Sequence, residues 1–409
     1  MSNRLLFKKL LYSQVTATIG ELFLTIALAT LAVQITGSGI AAAWLISINA
    51  VATFTIGFTA GPLIDKNSRK KVMLISDVAR AILLIPFFFL TKETFWVAYI
   101  LTFLLACFNS LFHPARESYI QTLFKGEERL DIITTVQSSL SIVSLLVPSI
   151  AGLLISLIDI KIAFVINILT FIISALLILQ IKSDPKNDIK EHKNFLDTAL
   201  SGWKYILTNK RLVNLNITRV LLTSGIAIFS VVSYQLLVDT SKILKDDISF
   251  ITFPLLLGIV SSLQGIGSLT AGLTIKKHKK YLADKQQLLM VIAGIIFATG
   301  YAVWAIGSIY VILIGSYFIG LALVIGRTGI ISYGQEVADP EFMGRAITAG
   351  DAMARISHIL AMGLASSLLL VTNSRIILII SILFSISISL LNINRKEKKI
   401  HDQSFNKTS

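Results

Sequence analysis

One pattern constrains this chain more than any other. Apolar runs of twenty or so residues follow one another from residue 11 to residue 394, separated mostly by short polar turns. A run of that length crosses about 30 Å of hydrocarbon as a helix. Inside lipid every backbone N–H and C=O must be paired within the protein, which leaves helices and closed barrels. The runs are too long and too continuous for barrel strands. The fold class is therefore an all-α polytopic membrane protein. Composition agrees: 54% of residues are hydrophobic and 15% charged, whereas a soluble domain is closer to a quarter charged.

Twelve spans can be drawn, at 11–35, 41–64, 72–91, 95–120, 132–157, 161–181, 213–238, 250–275, 287–306, 309–333, 347–371 and 374–394. The longest hydrophilic stretch, 182–211, divides them six and six. The expected domains are an N-terminal six-helix bundle (1–181), a cytoplasmic linker (182–212), a C-terminal six-helix bundle (213–394) and a basic tail (395–409). In the linker Phe195, Leu196, Ala199, Trp203, Ile206 and Leu207 fall at helical spacing, which predicts an amphipathic helix on the membrane surface.

The net charge of +14 would suggest nucleic acid in a soluble protein. Here it reads as bases gathered on the cytoplasmic side, so no nucleic-acid partner is expected. An even number of spans puts both termini on one side. If that side is the cytoplasm, the basic clusters at 66–71, 182–211, 276–285 and 395–399 all lie there. The opposite loops carry little beyond Lys92, Lys161, Lys242, Lys245 and Arg375. The single Cys107 excludes an intramolecular disulfide. The basic start of the chain, without a small-residue cleavage site and with Glu21 in the apolar run, reads as an uncleaved first helix.

The halves echo each other. TAGPLIDKNSRKK (59–71) returns as TAGLTIKKHKK (270–280), ESYIQTLFKGEERL (117–130) as ISYGQEVADPEFMGR (331–345), and FKKLLYSQ (7–14) as NKRLVNLN (209–216). All share an offset of roughly 200–215 residues, the mark of duplicated six-helix units such as secondary transporters use.

The pattern Gly61-x-Leu63-x-Asp65-Lys66-x-x-Arg69-Lys70, between the second and third spans, resembles the signature loop of the major facilitator superfamily. Ser68 stands where the family pattern has Gly, and the neighbouring Asn67 is a residue that can take the left-handed turn conformation. FHPARESYIQTL, SDVARA and IGELF resemble the drug and macrolide exporter branch, which includes bacterial macrolide efflux proteins and the enterobactin exporter. VPSIAGLLIS (147–156) resembles the fifth-helix antiporter motif, keeping Pro148 and Gly152 while Val147 and Ala151 replace glycines. The resemblance implies a twelve-helix secondary transporter whose loop acts as a latch. Gly61, Asp65, Arg69, Lys70, Asp77, Arg80 and Arg116 would form its cytoplasmic gate network.

The residues carry their own argument. Glu21 sits near mid-membrane, where an acid costs roughly 2.5–3.5 kcal/mol. Gln14, Thr18, Glu21 and Thr25 follow i, i+4, i+7, i+11 spacing and form one polar stripe. A carboxyl group that alternates between a dry wall and a neighbouring cation can bind a proton on one side and release it on the other. Glu21 is the candidate proton-coupling or cation site; the alternative is a structural acid bonded to a neighbouring helix. Asp351, Arg355 and His358 share a face of the eleventh span, with Asp351 and Arg355 spaced for an i, i+4 pair. Asn109, His113 and Arg116 repeat that spacing on the fourth, which Pro114 should bend. Arg219 and Arg327 should each face protein or water. Gln14, Thr18, Thr25, Asn109, Arg219, Tyr234, Gln264 and Arg327 are candidate cavity residues, with Gln235, Phe229 and Trp304 more weakly marked.

No phosphate-binding GxxxxGK[ST] loop, HExxH or cysteine pair occurs, so neither a nucleotide-driven pump nor a familiar metal site is expected, and no cofactor. The expected protein is not an enzyme. It is a monomeric exporter of amphiphilic, macrolide-like or other lipophilic compounds in a bacterial plasma membrane, in contact with lipids and driven by proton entry. An uptake permease or lipid flippase of the same fold, or a membrane sensor without transport, are the alternatives.

Overall fold

The computed structural model describes residues 3–123, 126–181, 195–247, 251–282, 285–339 and 342–405. Within them the side chains of 3–6, 54, 57–66, 121–123, 126–131, 133–134, 137, 195–201, 245–247, 344, 348 and 394–405 are not described.

The chain is helical throughout the described residues. The helices of the first half are α1 (Asn3–Thr36), α2 (Gly39–Lys66), α3 (Arg69–Leu83), α4 (Trp96–Leu123), α5 (Gly126–Leu157) and α6 (Ile160–Leu179), with a 3₁₀ turn at Ile85–Phe89. Then come α7 (Phe195–Thr208), α8 (Lys210–Asp247), α9 (Phe253–Lys277), the short α10 (Lys279–Leu282), α11 (Gln286–Ala305), α12 (Ile309–Val337), α13 (Met343–Leu369) and α14 (Ser374–Phe405). Among the described residues, 11 helices are long and apolar enough to cross a membrane. The remaining expected span is α2, 28 residues long. Several helices outrun their predicted spans, because hydropathy ends where polar residues begin and a helix need not. α8 has 38 residues, about 57 Å at the helical rise.

The loop before α3 differs from its sequence expectation. Asn67 is extended at φ −115°, and no non-glycine residue among the described ones has positive φ. Ser68 supplies the turn instead by capping α3: its hydroxyl accepts from Lys71 N–H at 3.2 Å. A serine does this where a glycine would leave the N–H to water. Ser68→Ala should cost about 1 kcal/mol and Ser68→Gly only a few tenths, measurable as thermal stability in detergent. Equal losses would argue against the cap. Lys70 reaches the other way, donating to the Leu179 and Ile181 carbonyls at 3.0 and 2.5 Å. It thus satisfies carbonyls at the end of α6 and sets a cation where a helix dipole favours one.

The helices fall into two compact units. One comprises 1–192 with Leu237–Ser262, the other Lys193–Leu236 with Leu263–Ser409. The expected bundles meet at the linker; here the end of α8 and the start of α9 belong with the first unit.

In the first unit α1 packs against α2, α5 and α6, and α3 against α4 and α6. The approach of α1 to α6 needs Gly20, where a Cβ would come within 2.1 Å of Thr170 Oγ1. A cluster including Leu10, Met73, Phe112, Tyr119 and Ile178 closes the core. Pro148 and Gly152 lie within a continuous α5 and cross α9 at Pro254 and Gly258. The contact is reciprocal: a Cβ on Gly152 would lie 2.3 Å from Pro254 O, and one on Gly258 2.4 Å from Pro148 O. Ser149 Oγ donates to Ser262 Oγ at 2.8 Å and Ser156 pairs with Thr252.

In the second unit α11 packs against α12 and α14. Phe229, Phe297, Tyr301 and Trp304 stack in its core, each less than 5% exposed. Phe229 and Trp304 are therefore packing residues, not the pocket residues their aromatic character suggested. The linker helix α7 docks on α13. Gly202 meets the Arg345 carbonyl, and Tyr205 stacks on Phe342 at 4.8 Å while bonding Asp339. The Asp339 N–H lowers the Tyr205 pKa, but desolvation of the phenol together with the facing Asp339 carboxylate outweighs it and leaves the pKa raised. Ile206 is buried, while Trp203 and Leu207 are exposed, so part of the predicted apolar face turns away from protein, as a membrane-surface helix requires.

Candidate functional site: two carboxylates on one guanidinium

Arg80 is 1% exposed and organises the interior of the first unit. Its position on α3, three residues after Asp77, sets an i, i+3 pair on one helix face. Nη2 donates to Asp77 Oδ1 at 2.5 Å. Nη1 donates to Glu21 Oε1 on α1 at 2.9 Å and to Asn109 Oδ1 on α4 at 3.0 Å. Nε reaches the Ser76 carbonyl at 3.3 Å. The flat cation lies against the rings of Phe112 and Phe171, 4.7 and 4.3 Å from their centroids. Planar stacking combined with a hydrogen-bonding fork is work for an arginine and not for a lysine.

The two acids differ. Asp77 is fully buried, and its second oxygen accepts from Ser174 at 2.6 Å. Ser174 in turn pairs with Ser13 at 2.9 Å. The Glu21 side chain is 24% exposed, and His113 Nε2 lies 3.8 Å from the oxygen that Arg80 holds. Glu21 and Arg80 line a cavity of about 170 Å³ with Thr25, Asn49, Thr102 and Asn109, walled elsewhere by leucines, Ile46, Ala106 and Phe171. The Thr102 hydroxyl is buried and has no partner among the described residues.

The structure thus brings Glu21, Thr25, Asn109, Asp77 and Arg80 to one place. Asp77 and Arg80, expected in a gate network with Asp65, share a cluster with Glu21 through the Arg80 guanidinium. Gln14 donates weakly to Thr18 at 3.3 Å. Arg116 is buried, 3.8 Å from Glu117. Arg69 is half-buried at the start of α3. The side chains of Gly61 and Asp65 lie outside the described residues. In the second unit Asp351 pairs with Arg219 at 2.8 Å, not with Arg355 as the helix spacing suggested. Gly350 makes this possible, since a Cβ there would sit 2.5 Å from Arg219 Nη1. Arg355 and His358 are half-buried, and His358 faces the Thr223 backbone. Arg327 is exposed, Tyr234 and Gln264 half-buried; Gln264 contributes its carbonyl to a close approach by Gly320.

Sequence reasoning missed Ser13, Ser174, Thr102 and Asn49. A signal for one of them was present: Asn167, Thr170 and Ser174 sit at i, i+3, i+7 in an otherwise apolar helix, a polar stripe that lipid would not tolerate facing outward.

Comparison with known proteins places this architecture. Over 179 residues the chain is 27% identical to YfiS of Bacillus subtilis (strain 168), an uncharacterised MFS-type transporter, a match spanning 43% of this chain and 42% of the relative. The fold resembles that of the nucleoside transporter NupG (TM-score 0.76, 14% identity, 95% of this chain and 99% of that one). It also resembles a bacterial homologue of the iron transporter ferroportin in an inward-facing state (TM-score 0.70, 14% identity, 96% and 99%). A POT family transporter in complex with 5-aminolevulinic acid is similar too (TM-score 0.75, 10% identity, 96% of each chain). At such identities these three likenesses speak for the fold alone. The sequence model of the Major Facilitator Superfamily matches residues 10–362, and the chain belongs to that family: it is a polytopic membrane protein of the MFS fold.

Proposed function

We propose that the protein exports amphiphilic small molecules, macrolide-like or other lipophilic compounds carrying a positive charge, in exchange for protons. One observation carries this reading: Glu21, a carboxylate inside the membrane span, opens on a cavity with polar and apolar walls while held by Arg80. An intramembrane acid is costly and marks a substrate or proton path. The apolar wall suits the body of an amphiphile, and the carboxylate suits its cationic group. Alternating access would expose the site to each side in turn, with the loop at 61–70 as latch and the crossing at Pro148 and Gly152 as the opposite closure. Both termini would be cytoplasmic and the monomer would suffice.

The test is uptake into inside-out vesicles under an imposed pH gradient, with a panel of cationic drugs and dyes. Glu21→Gln should reduce gradient-driven uptake by about tenfold or more, the scale of one charge-assisted contact. Wild-type uptake with full pH dependence in that variant, or no movement of any compound, would sink the proposal. The amides of Asn49 and Asn109 and the hydroxyls of Thr25 and Thr102 favour a second reading, uptake of a small polar solute. It predicts accumulation in right-side-out vesicles of nucleosides or amino acids instead of dyes.

A further inference from the structure

Arg80 serves two carboxylates, and the count of charges does not close. Glu21 and Asp77 together carry two negative charges against one guanidinium, within a cluster whose Asp77 and Arg80 are at most 1% exposed. An uncompensated charge in such a place is costly, so the cluster needs one more positive charge. Glu21, Asp77 and His113, whose Nε2 lies 3.8 Å from Glu21 Oε1, are the positions that can receive it. Glu21 faces the cavity. Asp77 faces away from it, into a file of hydrogen bonds: Ser174 Oγ to Asp77 Oδ2 at 2.6 Å, and Ser174 Oγ with Ser13 Oγ at 2.9 Å. Ser13 and Ser174 are 2% and 0% exposed. Ser13 lies eight residues before Glu21 on α1, roughly 12 Å at the helical rise. Ser174 lies five residues before the end of α6 at Leu179, where Lys70 binds the terminal carbonyls. The file therefore leads from the cluster toward the end of the bundle that the basic loops assign to the cytoplasm.

We infer that Asp77 is the acid that holds the transported proton, and that Arg80 makes its protonation and the binding of a cation at Glu21 mutually exclusive. With Asp77 protonated, Arg80 balances Glu21 alone and the cavity does not call for a cation. A cation bound at Glu21 supplies the missing charge, and Asp77 gives up its proton. The proton passes from Asp77 Oδ2 to Ser174 Oγ as the Ser174 hydroxyl proton passes to Ser13 Oγ. Each hydroxyl gains one proton and loses one, the Ser13 hydroxyl proton leaving to solvent water as hydronium, and Asp77 is left as the carboxylate that Arg80 and Ser174 hold. Among the described residues, the other ionisable groups near the cluster are His113 and, one turn further along α4, Arg116; the polar side chains that α6 contributes are Asn167, Thr170 and Ser174. The inference rests on the proton-exchange reading above and names the residue that performs it, which the sequence had placed in a gate.

The experiment uses the purified full-length protein in detergent, weakly buffered, with a pH indicator and tetraphenylphosphonium as the cation. Wild type should release about one proton per cation bound near neutral pH. Asp77→Asn, fixed in the neutral state, should bind the cation at least about tenfold more weakly, with an affinity that no longer depends on pH and, at saturating cation, less than about a fifth of the proton release; Glu21→Gln should also bind at least about tenfold more weakly. If Asp77→Asn does not fold, Ser174→Ala is read by stopped flow. There proton release should slow by about tenfold while affinity stays within about twofold. Wild-type release in both variants, or release lost in His113→Gln and kept in Asp77→Asn, would overturn the assignment and leave proton exchange standing. A wild type that binds no cation, or binds it without releasing a proton, would overturn the exchange reading itself.

Discussion

Arg80→Met should be the most damaging single change in the N-terminal unit. It leaves Asp77, fully buried, and Glu21 facing each other with no cation from α3 between them. Removing one partner of a buried ionic group costs roughly 3–5 kcal/mol, because the remaining charge stays behind uncompensated. The loss should appear as a fall in thermal stability in detergent, together with loss of transport. Arg80→Lys keeps the charge but neither the fork that reaches Glu21, Asn109 and Asp77 nor the plane that lies between Phe112 and Phe171, so it should fall between wild type and Arg80→Met. The double variant Arg80→Met with Asp77→Asn is the informative control. It removes the stranded charge with the cation and should recover a large part of the stability without recovering transport. If Arg80→Met is as stable as wild type, the cluster is not the electrostatic centre described here. If the double variant is less stable than Arg80→Met, the charge of Asp77 is not what Arg80 compensates.

The legible part of this protein was set by one-dimensional physics. Hydrophobic length located the spans because lipid thickness is fixed, and the amphipathic pattern located α7. The stripe of Gln14, Thr18, Glu21 and Thr25 was readable because a single helix carries it, and Glu21 and Thr25 do line a cavity. What was not readable depends on two helices at once. The spacing of Asp351 and Arg355 on one helix suggested a pair, yet Arg219 from α8 takes Asp351 because Gly350 leaves it room. Asp77 and Arg80 were read on the third span as gate partners of the loop by family resemblance; that Arg80 also reaches Glu21 and Asp77 also reaches Ser174 depends on the packing of α3 against α4 and α6. A serine such as Ser13 or Ser174 carries no distinguishing mark until its partner is known. The seam at Leu237–Ser262 was hidden for a similar reason, since continuity of a helix says nothing about which unit its end will join.

Gly152→Val should open the crossing of α5 with α9 and stop the transport cycle. The two backbones touch there: the added Cβ would lie 2.3 Å from Pro254 O, and the partner carbonyl belongs to a main chain that cannot rotate aside. Beyond the roughly 1–3 kcal/mol cost of overpacking, the substitution acts on one conformation selectively. A state in which α5 and the start of α9 separate does not feel the valine, so the population shifts toward it by the energy of the clash. Ser149–Ser262 and Ser156–Thr252 would part together with the glycines. In a Cys107→Ser background, a cysteine at Ser241, which lines a cavity of about 270 Å³ with Thr30, Gln34 and Pro254, reports the opening through a membrane-impermeant maleimide. Labelling should rise several-fold in Gly152→Val and in the reciprocal Gly258→Val, while transport falls by about tenfold or more. Gly272→Val is the matched control, since nothing lies within 4 Å of its Cβ position. The reciprocity makes the test severe. A purely local packing defect has no reason to act alike from both helices, whereas a closure built on two mutually seated Pro-x-x-x-Gly segments must. Unchanged labelling and transport in both valine variants would mean that these helices do not separate during the cycle, and the closure would have to lie elsewhere.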